Sequence, residues 1–324
     1  MPFSWTTMNR PALMAVAAGA FGATLMVAAL KGSILGVAFG LVFSSLPLAM
    51  AVLGLGPAVL PVAVMSGAVT VTILTGSFVG PVIYFLNDVL PIALLTRLAR
   101  AEPGSSVPSG IRVGLSVTWL GVLAAVLMCL VLVLLPIGPD GVEATLRTGI
   151  EKALAEVAER ATADPSRVAA ALETLKATAL FLPGAAGWNW CLRAIASAAV
   201  AQAILMRLDR ALEPKPAYRQ MVVPGWFLGV FWAAILVGWL THGDISFIAK
   251  NAAGVLCLPL VLQGLSLVHS TIGRKANASF WLVGFYMLAL STATVSFAIL
   301  VGVGVADHFL KLRDRLNVPP QGGV

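Results

Sequence analysis

GSILGVAFGLVFSSLPLAMAVLGLGPAVLPVAVMSGAVTVTILTGSFVGPVIYFLN, residues 32–87, carries no charged side chain. A helix needs about 20 mostly apolar residues to cross a hydrocarbon core about 30 Å thick. The stretch is therefore too long for one span. Its turn signals cut it: Gly54-Leu55-Gly56-Pro57 is one, and Gly76-Ser77 with Gly80-Pro81 is another. The cuts predict spans near 33–53, 57–75 and 79–98. Pro47, Pro61 and Pro91 then fall inside helices. Each removes a backbone hydrogen bond, so kinked or broken helices are expected here.

Working outward, residues 11–30 form an apolar run that ends at Lys31. It is longer than the apolar region of a signal peptide and another apolar run follows at once, so it reads as an uncleaved first span. Toward the C-terminus the runs 113–135, 179–206, 225–240, 247–269 and 279–306 complete a count of nine, with eight to ten as the range. Composition agrees. The chain of 324 residues is 59% hydrophobic and 11% charged, with mean hydropathy +0.94. A soluble domain carries about 25% charged residues, so a soluble enzyme is excluded. The fold class is all-α, a polytopic transmembrane helix bundle. The expected organisation is an N-terminal bundle over 1–136, an insert over 137–178, a C-terminal bundle over 179–315, and a disordered tail at 316–324.

The insert is the one soluble-looking stretch. Asp140, with Glu143 three residues on, resembles a capping box. Val142, Leu146, Ile150, Leu154, Val157 and Ala161 recur at helical spacing, and Glu143, Arg147 and Glu151 form an i,i+4 chain on the other face. Asp164-Pro165 opens a second helix, with Val168, Leu172 and Leu175 on its apolar side. The pair reads as an amphipathic helical hairpin outside the membrane. It serves either as a cap over loop ends or as a lid or docking arm.

Lys and Arg in short loops set orientation. With the N-terminus cytoplasmic, Arg10, the Arg97/Arg100/Arg112 loop, the Arg207/Arg210/Lys215/Arg219 loop and Arg274/Lys275 all fall inside. With nine spans Lys311, Arg313 and Arg315 fall outside, so either one of the tight early spans is re-entrant or the tail breaks the rule. The net charge of +7 therefore marks loops and not nucleic-acid binding. The lipid bilayer is the expected partner.

An ionisable residue within a span costs about 2.5–3.5 kcal/mol on the insertion scale, so each one needs a reason. Three qualify. Asp88 and Arg193 sit near mid-span with opposite signs, which predicts a direct contact between them, either as a structural pair or as part of a site. Lys250 lies near the outer end of its span. Its ammonium either snorkels toward Asp244 or joins Asn189 and Asn251 in a polar cluster for a small polar or anionic molecule. Asn189 and Asn251 read equally as interhelical hydrogen-bonding residues. Asp88, Asn189, Arg193, Lys250 and Asn251 are thus the candidate substrate-binding residues.

Ala15, Gly19 and Ala23 form a small-residue stripe on the first span. Such a stripe lets helices approach closely, within the bundle or toward a partner membrane protein. Cys129, Cys191 and Cys257 lack metal-ligand spacing, and His242, His269 and His308 are scattered. No metal or cofactor is expected. An intramembrane enzyme would need paired carboxylates or a nucleophile with its base, and only Asp88 is available within the spans, so no enzyme is expected.

The C-terminal third resembles a known family. The residues that carry the likeness are Met221-Val222-Val223-Pro224-Gly225-Trp226, then Asn251 and Gln263-Gly264, then Gly302, Gly304, Asp307 and Arg313. They are similar to the YybS-like predicted membrane proteins of unknown function, in the alphaproteobacterial branch. The likeness is best over about 218–315 and runs back toward residue 11. It implies a multi-pass protein of the bacterial inner membrane with eight or so helices. It also implies a distant similarity to the substrate-capturing subunits of energy-coupling-factor vitamin transporters. On that implication the Ala15/Gly19/Ala23 stripe docks a coupling subunit, and the protein is a small-molecule binding or transport subunit without its own ATPase. The other expectation is a structural or assembly protein of the envelope acting through the insert.

Overall fold

The computed structural model describes residues 10–32, 40–100, 106–134, 138, 140–160, 173, 179–312 and 315. The principal helices are α1 (Arg10–Leu30), α2 (Leu46–Leu55), α3 (Pro57–Thr75), α4 (Val79–Ala99), α5 (Ser109–Leu134), α6 (Gly141–Arg160), α7 (Leu182–Arg207), α8 (Gly225–Leu240), α9 (Gly243–Ile272), α10 (Ala278–Ser291) and α11 (Ala293–Leu310). Seven of them (α1, α3, α4, α5, α7, α9 and α11) are long and apolar enough to cross a membrane; α2, α8 and α10 are shorter apolar helices. Large apolar side chains point outward, Phe78 at 87% exposure and Ile73 at 75% among them. Water would penalise that surface, whereas lipid is a solvent for it.

The punctuation lies where glycine and proline put it. Gly56 (φ +93°) and Pro57 separate α2 from α3, and Gly76 (φ +64°) ends α3 in the left-handed conformation with its N–H on the Thr72 carbonyl. Of the expected 33–53 span, the structure describes α2 and one short turn at Leu41–Phe43, while residues 33–39 lie outside the described residues. The expected 279–306 span is not one helix. It breaks at Thr292 (φ −118°, ψ 43°) into α10 and α11.

The chain does not divide into consecutive bundles flanking an insert. It forms two compact units, the first built from Met1–Leu120 and Trp190–Val222, the second from Gly121–Asn189 and Val223–Val324. In this division α5 and α7 each contribute one part to each unit.

In the first unit, α1 packs along α3 and α2. A Cβ at Gly19 would lie 2.0 Å from the Ala63 carbonyl oxygen, so only glycine admits this approach. Ser66 of α3 donates to the Val16 carbonyl at 2.7 Å, and Lys31 donates to the Leu74 carbonyl at 3.3 Å near the end of α3. In the second unit, α9 is the central element and packs on α8, α11 and α6. Gly264 and Gly304 make the α9–α11 approach reciprocal. A Cβ on Gly264 would meet the Leu300 oxygen at 2.3 Å, and one on Gly304 the Leu260 oxygen at 2.2 Å.

The first helix of the expected hairpin is α6, and Glu143–Arg147 pairs at 3.1 Å as the spacing predicts. The cap differs. Asp244, at the start of α9, accepts from the Val142 N–H at 2.9 Å and the Glu143 N–H at 3.3 Å. The carboxylate expected beneath Lys250 thus fills the role assigned to Asp140. Val142 also packs with Leu132 and Phe247, so α6 lies on α9. The second expected helix and the tail at 316–324 lie outside the described residues, apart from Glu173.

Gly19→Ala is expected to destabilise the protein by about 1–3 kcal/mol or more, because backbone must move to admit the methyl group. Gly284→Ala, with nothing within 4 Å of its added carbon, is expected to be neutral or mildly stabilising. Thermal unfolding in detergent micelles checks the opposite signs.

Candidate functional site

The sequence builds a defect into α4. Its middle is a π-helical turn, Phe85–Val89, in which the Leu90 N–H reaches back to the Phe85 carbonyl. The Leu86 carbonyl thereby loses its usual i+4 donor. Pro91 has no N–H, so the Asn87 carbonyl loses its donor too. Both oxygens are taken up by α7: Trp190 Nε1 donates to Leu86 at 3.1 Å, and Arg193 Nη2 donates to Asn87.

Asp88 sits in the same turn with no exposure, and Arg193 is 8% exposed. Arg193 Nη1 lies 3.2 Å from Asp88 Oδ1, the contact expected from their depth and sign. Ser44 and Ser45 donate to the same oxygen at 2.5 and 2.7 Å, and Asn87 Nδ2 donates to Oδ2 at 3.2 Å. Arg193 Nη1 also reaches Ser44 Oγ at 3.0 Å. One further helical turn along α7, Ser197 donates to the Val42 carbonyl at 3.3 Å. The carboxylate is surrounded by donors from its own unit, which makes the pair a pin between α4, α7 and the Ser44–Ser45 turn. Tyr84, one turn before Asp88, is also buried, and its hydroxyl has no partner among the described residues.

The second unit holds a separate network. Asn251 Oδ1 accepts from the Gly184 N–H at 2.9 Å, and Asn251 Nδ2 donates to the Leu180 carbonyl at 3.0 Å and the Phe247 carbonyl at 3.1 Å. It satisfies an orphan donor in the first turn of α7, and its amide is fully engaged. Trp188 Nε1 adds a bond to the Gly254 carbonyl at 2.7 Å. Asp244 and Asn251 therefore both serve helix N-termini other than their own.

Lys250 lies between them in sequence. Its stem rests near Gly238 of α8, where an added Cβ would touch Lys250 Cγ at 3.0 Å. It makes no ion pair or hydrogen bond among the described residues. Its side chain lines a cavity of about 450 Å³ with Phe181, Trp239, His242, Phe247 and Asn251. Glu143, already paired with Arg147, lies at the same cavity.

The candidate residues thus separate. Asp88 and Arg193 meet in the first unit; Lys250 and Asn251 line one cavity in the second. Asn189 is exposed, belongs to the second unit, and makes no hydrogen bond among the described residues. Ala15, Gly19 and Ala23 are buried, with Gly19 against Ala63 of α3. The stripe is consumed inside the first unit and offers no face to a partner.

Sequence reasoning missed one buried carboxylate. Asp307 is 6% exposed and accepts from Gln263 Nε2 at 3.1 Å, while Gln263 Oε1 accepts from the Val223 N–H at 2.9 Å. Asp88 is therefore not alone among the buried carboxylates. The expected span stopped at Ala306, one residue short, whereas α11 runs to Leu310. The signal was already present in the resemblance, since Val223, Gln263 and Asp307 all belong to its motif.

Long apolar helices, apolar outward faces and internally satisfied charges define a polytopic helical membrane protein. The chain matches the family described as Predicted membrane protein (DUF2232) over residues 20–308, and it belongs to that family. No curated protein and no solved structure matches it.

Arg193→Met or Asp88→Asn alone is expected to cost about 3–5 kcal/mol, because each strands the other partner in a buried site. The double substitution is expected to cost less than the sum of the two, measured by reversible unfolding in mixed micelles. Additive costs would mean that the groups act independently. Gln263→Leu is expected to cost about 1–3 kcal/mol by orphaning the Val223 N–H, with faster amide hydrogen exchange at Val223 as its local signature.

Proposed function

We propose that this protein is a small-molecule binding or transport subunit without an ATPase of its own, and that the cavity at Lys250 receives the molecule. The observation that carries this reading is an unpaired cation at a cavity whose volume lies in the usual ligand range of about 300–1,000 Å³. Phe181, Trp239 and Phe247 give it apolar walls. The N-terminus of α9 borders it and adds partial positive charge, whereas that of α6 is already capped by the Asp244 carboxylate. A small molecule with an anionic group fits this chemistry. On this reading Asp88 and Arg193 hold the bundle and do not touch the ligand.

Further parts of the reading rest on the resemblance. These are the bacterial inner membrane as the location, kinship with the YybS-like branch, and cooperation with a transporter coupling subunit; the cytoplasmic N-terminus rests on the Lys and Arg of the short loops. The buried Ala15/Gly19/Ala23 stripe removes the expected docking face for that subunit, so a coupling partner would have to use another surface. A second reading, an assembly protein working through the 137–178 insert, draws support from α6, whose Arg147, Glu151, Lys152 and Glu156 are exposed.

Wild-type protein and Lys250→Gln, purified in mild detergent, are compared for bound small molecules and proteins by mass spectrometry. An anionic small molecule retained by the wild type and reduced tenfold or more in the variant is the expected result. A co-purifying ATPase would favour transport over binding alone. Identical small-molecule content in the two proteins would overturn the assignment of the cavity.

A further inference from the structure

Three arginines converge on a cleft in the first unit, away from the Asp88 pin. Arg97 and Arg100 come from the C-terminal end of α4, and Arg112 comes from the first turn of α5. The cleft has a volume of about 80 Å³, and among the described residues that line it Glu213 is the one carboxylate. Arg112 donates to the Ala99 and Val107 carbonyls and so ties the end of α4 to the residues just before α5. Arg100 Nε lies 3.5 Å from Glu213 Oε1, with both side chains partly exposed. Arg97 is exposed and makes no ion pair or hydrogen bond among the described residues. Among the described residues, three guanidiniums meet one carboxylate at the mouth, and the Arg97 fork has no protein partner. Planar guanidinium groups are well matched to phosphate oxygens.

The mouth continues into an apolar arm. A second cleft, about 70 Å³, shares Leu53, Thr96, Ala99, Gln202 and Pro216 with the first. It extends along Leu95, Val113, Val117, Ile195 and Ala198. A soluble phosphate compound would use the mouth and leave this arm empty. An amphiphile fills both. Basic pockets between membrane helices are a recurrent form of anionic headgroup site.

We propose that this cleft holds one anionic phospholipid, its phosphate on Arg97 and Arg100 and the first methylenes of one acyl chain in the arm. Arg112 is a positioning residue, since its donors hold backbone. The site is independent of the Lys250 cavity, which lies in the other unit.

The test offers delipidated full-length protein phosphatidylglycerol or phosphatidylcholine of identical chains, with bound lipid read by native mass spectrometry. The wild type is expected to retain one phosphatidylglycerol with at least tenfold preference over phosphatidylcholine. Arg97→Gln, a change at an exposed and unpaired side chain, is expected to cut that preference about tenfold, and Arg97→Lys to restore part of it. Glycerol phosphate at the same concentration is expected not to displace the lipid. Equal retention of the two lipids, an unchanged preference in Arg97→Gln, or displacement by glycerol phosphate would each overturn the proposal. Displacement would assign the mouth to a soluble anion.

Discussion

The carboxylate of Asp88 is out of reach of water, and the first unit is organised by that fact. In a hydrocarbon environment each unsatisfied polar group costs several kcal/mol. Asp88 is therefore met by Ser44, Ser45, Asn87 and Arg193. The requirement runs both ways. Arg193 is also buried, and it donates further to Ser44 and to a carbonyl that Pro91 leaves unpaired. Helix irregularity and charge pairing are parts of one solution: the π-helical turn and the proline expose two oxygens, and α7 brings Trp190 and Arg193 to cover them.

The second unit meets the same constraint with neutral amides and carboxylates that serve helix termini. One face of α9 carries Asp244 and Asn251, seven residues apart and thus two turns from each other. They satisfy the first N–H groups of α6 and α7. Further along α9, Gln263 joins the start of α8 to α11 through Val223 and Asp307. A single long helix thereby acts as a row of connectors. Between Asp244 and Asn251, Lys250 alone among the polar residues of α9 has no partner among the described residues, which is why the cavity beside it draws a functional reading.

Legibility in the sequence followed the range of the forces involved. The helical membrane class was readable from the uncharged stretch 32–87, because burial in lipid depends on composition. The Asp88–Arg193 contact was readable because opposite charges at equal depth have few other ways to be satisfied. What was not readable came from partners far apart in the chain. Asp140 sits beside α6 and looked like its cap, yet Asp244 does that work from about a hundred residues away. The stripe at Ala15, Gly19 and Ala23 announced close packing but not against which helix. Thr292 interrupts an uncharged run with no glycine or proline at the break to mark it. Asp307 was lost to a span boundary drawn one residue early. Asn189, Arg193 and Lys250, read as one cluster, belong to different units, Arg193 to the first and the other two to the second.

The separation of Asp88 and Arg193 by 105 residues bears on how the protein is made. The helix that carries the carboxylate is synthesised while the guanidinium that will neutralise it has yet to be translated. Until α7 arrives, Asp88 has only Ser44, Ser45 and Asn87 available from the chain already made. During biogenesis, the early helices must therefore wait as a partial assembly that still holds an uncompensated acid, beside the insertion machinery or beside water. The interleaving is general. The first unit includes Trp190–Val222, so it cannot close until the ribosome has passed well beyond the insert, and a chain stopped after α5 would leave an acidic group in the bilayer as a mark of unfinished folding.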